Sequence, residues 1–321
     1  MVRRVLVAVL ALAWPLTAAA CAPGQPTREC GLGGGTRAGP AGALSYWCQL
    51  ELRGRRTNGD IFVLGAGRGT VRRLTSGFAW DFQPAWSPDG TRIAFSSTRS
   101  GAPNLYVMDG GGGRVRRLTD AQAWESAPAW SPDGRRIAFE SGRDGLSGPL
   151  GIARRHRSIF RVDADGGGLV ELVGGPGYSG TPAWSPDGSR LAFVSDRDGG
   201  LDVYVAGADG GGVRRLTRDG AAAGRPAWSR DGTRLAFDSA PTPDAVAEAQ
   251  LLVVNADGSG ERPLVRGGGY QPAWSPDGGW IAFVSERDGH PDLYAARAGG
   301  GETVRLTDDL APKFWPAWGP G

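Results

Sequence analysis

Pro84-Ala85-Trp86-Ser87-Pro88-Asp89-Gly90 returns unchanged at 128–134, 182–188 and 272–278. It returns with Arg230 for the second proline at 226–232, and cut short as Pro316-Ala317-Trp318-Gly319-Pro320. The six tryptophans (86, 130, 184, 228, 274, 318) are spaced 44, 54, 44, 46 and 44 residues apart. A period near 44 matches one four-stranded blade of a β-propeller. The chain between copies agrees. After Trp86 come a Pro-Asp-Gly turn, Ile93-Ala94-Phe95, a glycine-containing loop, Leu105-Tyr106-Val107, an Asp109-Gly110 turn and Val115-Arg116-Arg117-Leu118-Thr119. These are four short runs of β-formers separated by turn residues, with no 3.6-residue period.

Composition supports the same reading. Gly and Pro, 54 and 23 of 321 residues, approach the level of low-complexity chains. Against that, 40% apolar residues and 12 Trp supply the buried surface that disordered chains lack. Proline presets the first central residue of a turn and glycine supplies positive φ, so their density counts hairpins. A net charge of +3 is too balanced for a nucleic-acid or lipid-surface footprint, and every basic residue but Lys313 is arginine.

The ends of the repeat predict how it closes. Leu44-Ser45-Tyr46, Asp60-Ile61-Phe62-Val63 and Val71-Arg72-Arg73-Leu74-Thr75 match the second to fourth strands of a blade, and 316–318 supplies a lone first strand. The expected fold is all-β: a single six-bladed propeller of four-stranded antiparallel blades over residues 43–321. Pairing of the C-terminal strand with the N-terminal blade would close it and hide the edges of an open array.

The repeat resembles the WD-like repeat of TolB-type propellers, which are related to the propellers of prolyl-oligopeptidase-like proteases. The resemblance covers residues 43–318 and implies the fold far more than an activity, because the repeat is scaffold. TolB proteins also carry an N-terminal α/β domain. Only about twenty linker residues precede the propeller here, so that domain's role is not carried over.

Residues 1–20 read as an export signal: Arg3 and Arg4, an apolar run from Val5 to Trp14 too short to span a membrane, then Ala18-Ala19-Ala20. Cys21 directly afterwards resembles the bacterial lipobox, with Ala18 where leucine is usual; simple Ala-x-Ala cleavage is the alternative. Residues 21–42, rich in Gly and Pro, read as a flexible tether. With Cys21 lipidated, Cys30 and Cys48 remain as an even pair in an oxidising compartment, either disulfide-bonded or as two free thiols.

Recurring residues are assigned to scaffold. The repeated tryptophans fill gaps between blades, and Asp89, Asp133, Asp187 and Asp277 form turns. The Ser-x-Arg-Asp-Gly loops tie loop to blade through an arginine, and the arginine pairs 72/73, 116/117 and 214/215 discourage edge pairing. There is no Gly-x-Ser-x-Gly elbow and no His-Glu-x-x-His, and only two histidines occur, so no cofactor and no metal are expected.

Residues that break the repeat carry the functional expectation, because variable loops on a rigid scaffold are where binding resides. The loops between fourth and first strands share one face with those between second and third strands. There lie Phe78, Trp80, Asp81, Phe82, Trp124, Glu125, Tyr178, Tyr270, Phe314 and Trp315, with His156, His290 and an insertion from Leu146 to Arg157. The leading expectation is a non-catalytic, monomeric binding or scaffolding propeller of the cell envelope. It would engage a protein, peptide or wall polymer through this face, with a lipid anchor as its only membrane contact and no nucleic-acid partner. Two alternatives stand beside it: a carbohydrate-active hydrolase or lyase using carboxylates with His156 or His290 at the channel mouth, and a small-ligand sensor.

Overall fold

Each apolar run of the repeat becomes one strand of an antiparallel meander. The computed structural model describes residues 42–52, 55–65, 70–143, 156–175, 177–218, 222–243, 245, 248–265, 267–309 and 311–321. Residues 1–20, read above as a signal, residues 21–41 of the expected tether with Cys21 and Cys30, and residues 144–155 with most of the insertion lie outside the described residues. Blade 1 holds β1 (Leu44–Leu52), β2 (Arg55–Leu64) and β3 (Val71–Arg73). Blade 2 is β4 (Asp81–Trp86), β5 (Arg92–Ser97), β6 (Asn104–Asp109) and β7 (Arg116–Arg117). Blade 3 is β8 (Glu125–Trp130), β9 (Arg136–Ser141), β10 (Ser158–Asp163) and β11 (Val170–Val173). Blade 4 is β12 (Ser179–Trp184), β13 (Arg190–Ser195), β14 (Asp202–Gly207) and β15 (Arg214–Arg215). In blade 5 the first strand is split into β16 (Ala222–Ala223) and β17 (Ala227–Trp228), both on β18 (Arg234–Ala240), followed by β19 (Gln250–Asn255) and β20 (Arg262–Pro263). Blade 6 is β21 (Tyr270–Trp274), β22 (Trp280–Ser285), β23 (Asp292–Arg297) and β24 (Thr303–Arg305). The last strand, β25 (Lys313–Trp318), pairs with β1 as the first strand of blade 1.

First strands pack against first strands around the whole circle, which makes them the innermost ring of a six-bladed, all-β propeller. Closure runs through Leu44↔Trp318, Ser45↔Ala317, Trp47↔Phe314 and Cys48↔Lys313. Cys48 is disulfide-bonded and fully buried. Lys313, the single lysine, is also fully buried, its Nζ 2.6 Å from Asp309, 3.3 Å from Asp292 and 2.8 Å from the Ala311 carbonyl.

The repeated residues are joints. Indole Nε1 of Trp130, Trp228, Trp274 and Trp318 donates to the carbonyl of Ala85, Ala183, Ala227 and Ala273 in the preceding blade, each at 3.1 Å. Arg92, Arg190 and Arg234 lie over Trp130, Trp228 and Trp274 at 4.6, 4.6 and 5.2 Å. In the turns, Ser87, Ser131, Ser185, Ser229 and Ser275 donate to the aspartate two residues on. Hydrogen bonds from Ser87 and the Thr91 amide hold the Asp89 carboxyl at about 2. Proline at the fifth position of the repeat is not needed for this bond, which forms in blade 5 beside Arg230.

Arginines of the fourth strands do more than block edges. Arg116 and Arg214 donate to the carbonyls of Ala164/Asp165 and Ala256/Asp257 in the next blade. Their neighbours in sequence or repeat, Arg73, Arg215 and Arg305, pair with the buried carboxylates of Asp60, Asp202 and Asp292, which also accept from Thr75, Thr217 and Thr307.

The indole bond predicts a contrast. Trp130→Phe loses a buried hydrogen bond, whereas the Nε1 of Trp86 has no partner among the described residues. Both substitutions remove similar volume, so Trp130→Phe is expected to be less stable than Trp86→Phe by about 1 kcal/mol in urea unfolding. Equal midpoints would show that the indole bonds add nothing to packing.

Candidate functional site

The described chain enters and leaves the ring on the turn face: Gly42 lies against Trp318 and Pro276, and Gly90 against Pro320. The opposite face carries the loops that break the repeat. There the innermost ring is lined by two different halves.

Blades 1 and 2 present aromatic rings. Trp47 contacts Trp80, Phe314 and Trp315 with centroids 6.0, 5.2 and 5.4 Å apart, and Phe82 bridges Trp315 and Trp124, each at 6.0 Å. Gly59 lets Trp47 lie flat, since a Cβ there would sit 1.8 Å from its Nε1. Of the expected site residues, Trp80, Trp124, Phe314 and Trp315 thus converge in one cluster. Phe314 and Trp315 are buried in it, Trp80 and Trp124 are half-buried, and Phe78 beyond them is 98% exposed.

Blades 3 to 6 present charge. Glu140 on β9, almost fully buried, accepts from Arg157 at 2.7 Å, Ser126 at 2.6 Å, the Tyr178 hydroxyl at 2.9 Å and the Thr181 amide at 3.2 Å. Asp238 on β18 accepts from the Gln271 amide at 2.9 Å, and burial pushes its carboxyl up to about 6. Burial lowers the Arg225 guanidinium to about 10, with Asp238 pulling the other way. Both carboxylates occupy space left by glycines of the inner strands. A Cβ on Gly180 would lie 2.3 Å from Glu140 Oε2, and one on Gly224 1.8 Å from Asp238 Oδ2. Tyr270 donates to Glu286 at 2.9 Å, and burial raises the carboxyl of Glu286.

A strained residue links each half to its neighbour. Gln83, Ala127, Thr181, Gln271 and Trp315, each preceding the proline of the repeat, take φ between 49° and 57°. Positive φ is uncommon outside glycine and an outlier for β-branched threonine, and strain of this kind gathers at functional sites. The bulge amides are held across blades: Ala127 N donates to Gln83 Oε1 and Trp315 N to Gln271 Oε1, both at 2.7 Å.

The other expected residues are placed as follows. Asp81 and Glu125 lie below the surface, their carboxylates taken by Arg99 and Arg143 of the Ser-x-Arg loops. Tyr178 and Tyr270 are buried donors to the carboxylates above. His290 Nδ1 lies 3.4 Å from Asp292, inside the cluster of Arg305, Thr307 and Lys313. His156 is half-buried beside Arg157. Among the described residues no group of three His, Cys, Asp or Glu side chains is arranged to hold a metal ion. Reading from sequence named Arg157 only as the end of the loop-face insertion, and missed Glu140, Arg225 and Asp238. The signal available was the residue before each repeat proline (Gln83, Ala127, Thr181, Arg225, Gln271, Trp315), which changes from copy to copy beside an almost constant Pro-Ala-Trp.

A family model described as the TolB beta propeller domain matches residues 50–158 and 159–270. The protein TolB homolog of Chlorobium luteolum is 30% identical over 151 residues, 46% of this chain and 33% of that protein. The Tol-Pal system protein TolB of Bordetella pertussis is 36% identical over 125 residues, 38% of this chain and 28% of that protein. The chain therefore spans about a third of the length of the curated relatives it matches. Among solved structures, TolB from Acinetobacter baumannii aligns with a TM-score of 0.72 and 21% identity, over 87% of this chain and 67% of that one. That likeness is one of fold.

Proposed function

The chain belongs to the TolB β-propeller domain family, and from that premise we propose that it is an exported binding propeller of the cell envelope that engages a protein partner through its loop face. The observation that carries this reading is the aromatic cluster of blades 1 and 2, opening through half-buried Trp80 and Trp124 onto a phenylalanine, Phe78, that is 98% exposed. Aromatic anchors of this kind dominate protein interfaces. The Tol-Pal system named for the Bordetella relative supports a protein rather than a wall polymer as partner.

The arginine start and short apolar run of residues 1–20 support export, and Ala-Ala-Ala-Cys21 supports a lipid anchor. Cys48, disulfide-bonded, fits an oxidising compartment, with Cys30 as its partner if Cys21 carries lipid.

Crosslinked pull-down from envelope, comparing wild type with Phe78→Ser/Trp80→Ala/Trp124→Ala, tests the reading. Trp315 stays intact because it is buried in the cluster. The expected result is loss of the dominant partner from the triple variant; an unchanged partner list would sink the loop-face assignment. In the same cells Cys21→Ser is expected to leave the membrane fraction, and retention there would remove lipidation at that residue.

A further inference from the structure

The outer edge of blade 3 departs from the other five. Two residues of each fourth strand pair with the third strand at equivalent places. They are Arg72 and Arg73 in blade 1, Arg116 and Arg117 in blade 2, and Arg214 and Arg215 in blade 4. In blade 5 they are Arg262 and Pro263, and in blade 6 Val304 and Arg305. Blade 3 has Val170 and Glu171 there. Among the described outer strands β11 alone has neither arginine nor proline at these places, and basic residues and proline are what keep an open edge from pairing with another chain. It is also the longest outer strand, four residues against two or three elsewhere.

Apolar side chains collect around it. Five large hydrophobic side chains are exposed among the described residues: Phe78 on the loop face, and Val115, Leu169, Val170 and Val213 at the starts of the outer strands of blades 2, 3 and 4. Leu169 and Val170, each 42% exposed, belong to blade 3. The exchange of arginine for Val170 also removes a strut, since Arg72, Arg116 and Arg214 reach turn carbonyls of the next blade and valine has no donor.

The charge at this edge is inverted. In blades 1, 4 and 6 the arginine at the second place is neutralised by Asp60, Asp202 or Asp292 at the start of the third strand. Blade 3 has Ser158 for the aspartate and Glu171 for the arginine. Glu171 is exposed and has no ion pair or hydrogen bond among the described residues. The free side of β11, which pairs only with β10, therefore offers backbone donors and acceptors with an unneutralised carboxylate among them and aliphatic side chains beside it. Another strand completes such an edge. The carboxylate selects that strand's sign, because opposite charges across a strand pair stabilise it and like charges destabilise it. A second copy of the chain is a poor match. Antiparallel self-pairing turns β11 end for end, so exposed Leu169 and Val170 would meet the buried Val173 end, and two Glu171 carboxylates would share the same few residues.

We infer that β11 is a docking edge for an extended segment of a protein partner, which adds a fifth strand to blade 3 with a lysine or arginine opposite Glu171 and aliphatic residues against Leu169 and Val170. This surface lies on the rim of the ring and does not rest on the loop-face reading.

The test uses the full chain and a fluorescein-labelled peptide, Gly-Ser-Thr-Ile-Val-Lys-Val-Ile-Thr amide, read by fluorescence anisotropy. Beside it run a twin with Glu for Lys and a twin N-methylated at both valines, which cannot make the strand's hydrogen bonds. The Lys peptide is expected to bind roughly fivefold more tightly than the Glu twin, the swing between an opposite-charge and a like-charge cross-strand pair. The N-methylated twin is expected not to bind. Val170→Arg/Glu171→Arg, which restores the arginine pair of blades 1, 2 and 4, is expected to abolish binding with the melting temperature at or above wild type. Glu171→Gln is expected to bring the Lys and Glu peptides to within about twofold of each other, and it decides alone should the double variant fail to fold. Absence of binding, equal binding of the Lys and Glu peptides to wild type, retained binding of the N-methylated twin, or binding unaltered by both variants overturns the edge. Loss of binding in Phe78→Ser/Trp80→Ala/Trp124→Ala would place the peptide on the loop face and overturn it too. A concentration-dependent dimer in sedimentation that Val170→Arg/Glu171→Arg dissolves would overturn it in favour of a second copy.

Discussion

A chain ending at Pro312 is expected not to fold cooperatively: thermal scans should show no transition for it, and one for the full chain. The reason lies in where β25 sits. Its six residues are the innermost strand of blade 1, and Lys313, Phe314, Trp315 and Pro316 are buried. Removing them exposes the axial edge of β1, a long unpaired strand that carries Trp47 and Cys48. It strips the aromatic cluster of two of its rings and leaves Asp292 and Asp309 without the lysine between them. It also opens the ring at Trp318, whose indole bonds blade 6 through Ala273. Burying side chains such as Phe and Trp contributes about 3–5 kcal/mol each when their truncation is measured. Two of them, with the lysine's ion pairs, match the whole stability of an ordinary domain, about 5–15 kcal/mol. A synthetic peptide of residues 313–321 added in excess is expected to restore part of the transition, because the register is specified by side chains on both strands. A truncated chain that melts within a few degrees of the full one would mean that closure through β25 contributes little.

That closure was legible because strand count and repeat phase are properties of order along the chain: three strands lacking a first at one end, a first strand lacking three at the other. The same holds for the tryptophan joints, since a residue fixed in every copy must meet the same neighbour in every copy. The aromatic residues of the loop face could be named for the same reason, loops being identified by where the repeat lapses. The charged half was not legible. Glu140 and Asp238 sit within the strand runs Ile137–Ser141 and Leu235–Ala240, where periodicity predicts apolar or small residues, and their partners come from other strands and, for Tyr178, Thr181 and Gln271, from the next blade. Only Gly180 and Gly224, opposite them on the inner strands, make room for the carboxylates, and a glycine in a chain with 54 of them carries no signal. Asp81 and Glu125 were legible as loop residues, but not the arginines that draw them inward, because the pairing spans 18 positions and a hairpin turn.

Arg157→Met is expected to cost about 3–5 kcal/mol and to lower the melting temperature by roughly 10 °C at neutral pH. Arg157 and Glu140 are 5% and 1% exposed, and their ion pair is the only charged contact described for that carboxylate among the described residues. Deleting the cation leaves an anion in a site with three neutral donors, Ser126, Tyr178 and the Thr181 amide, and removes the guanidinium that lies 5.6 Å over Trp124. Breaking such a pair from one side costs more than the pair contributes, because the surviving charge keeps its desolvation penalty. Glu140→Gln/Arg157→Met removes that charge while keeping an acceptor for Tyr178 and for Thr181, so it is expected to recover about half of the loss. The difference between single and double variants then measures the coupling, of the order of 1–3 kcal/mol. Strain makes the outcome diagnostic for function as well. Thr181 holds φ +49° while its amide is bonded to Glu140; a carboxylate that shifts toward a new partner releases that residue to relax. Loss of the strained conformation would be read as a changed chemical shift of the Thr181 amide in Arg157→Met and its return in the double variant. A melting temperature within about 2 °C of wild type, with that amide unmoved, would mean that the three neutral donors alone hold Glu140 and the blade 3 to blade 4 junction.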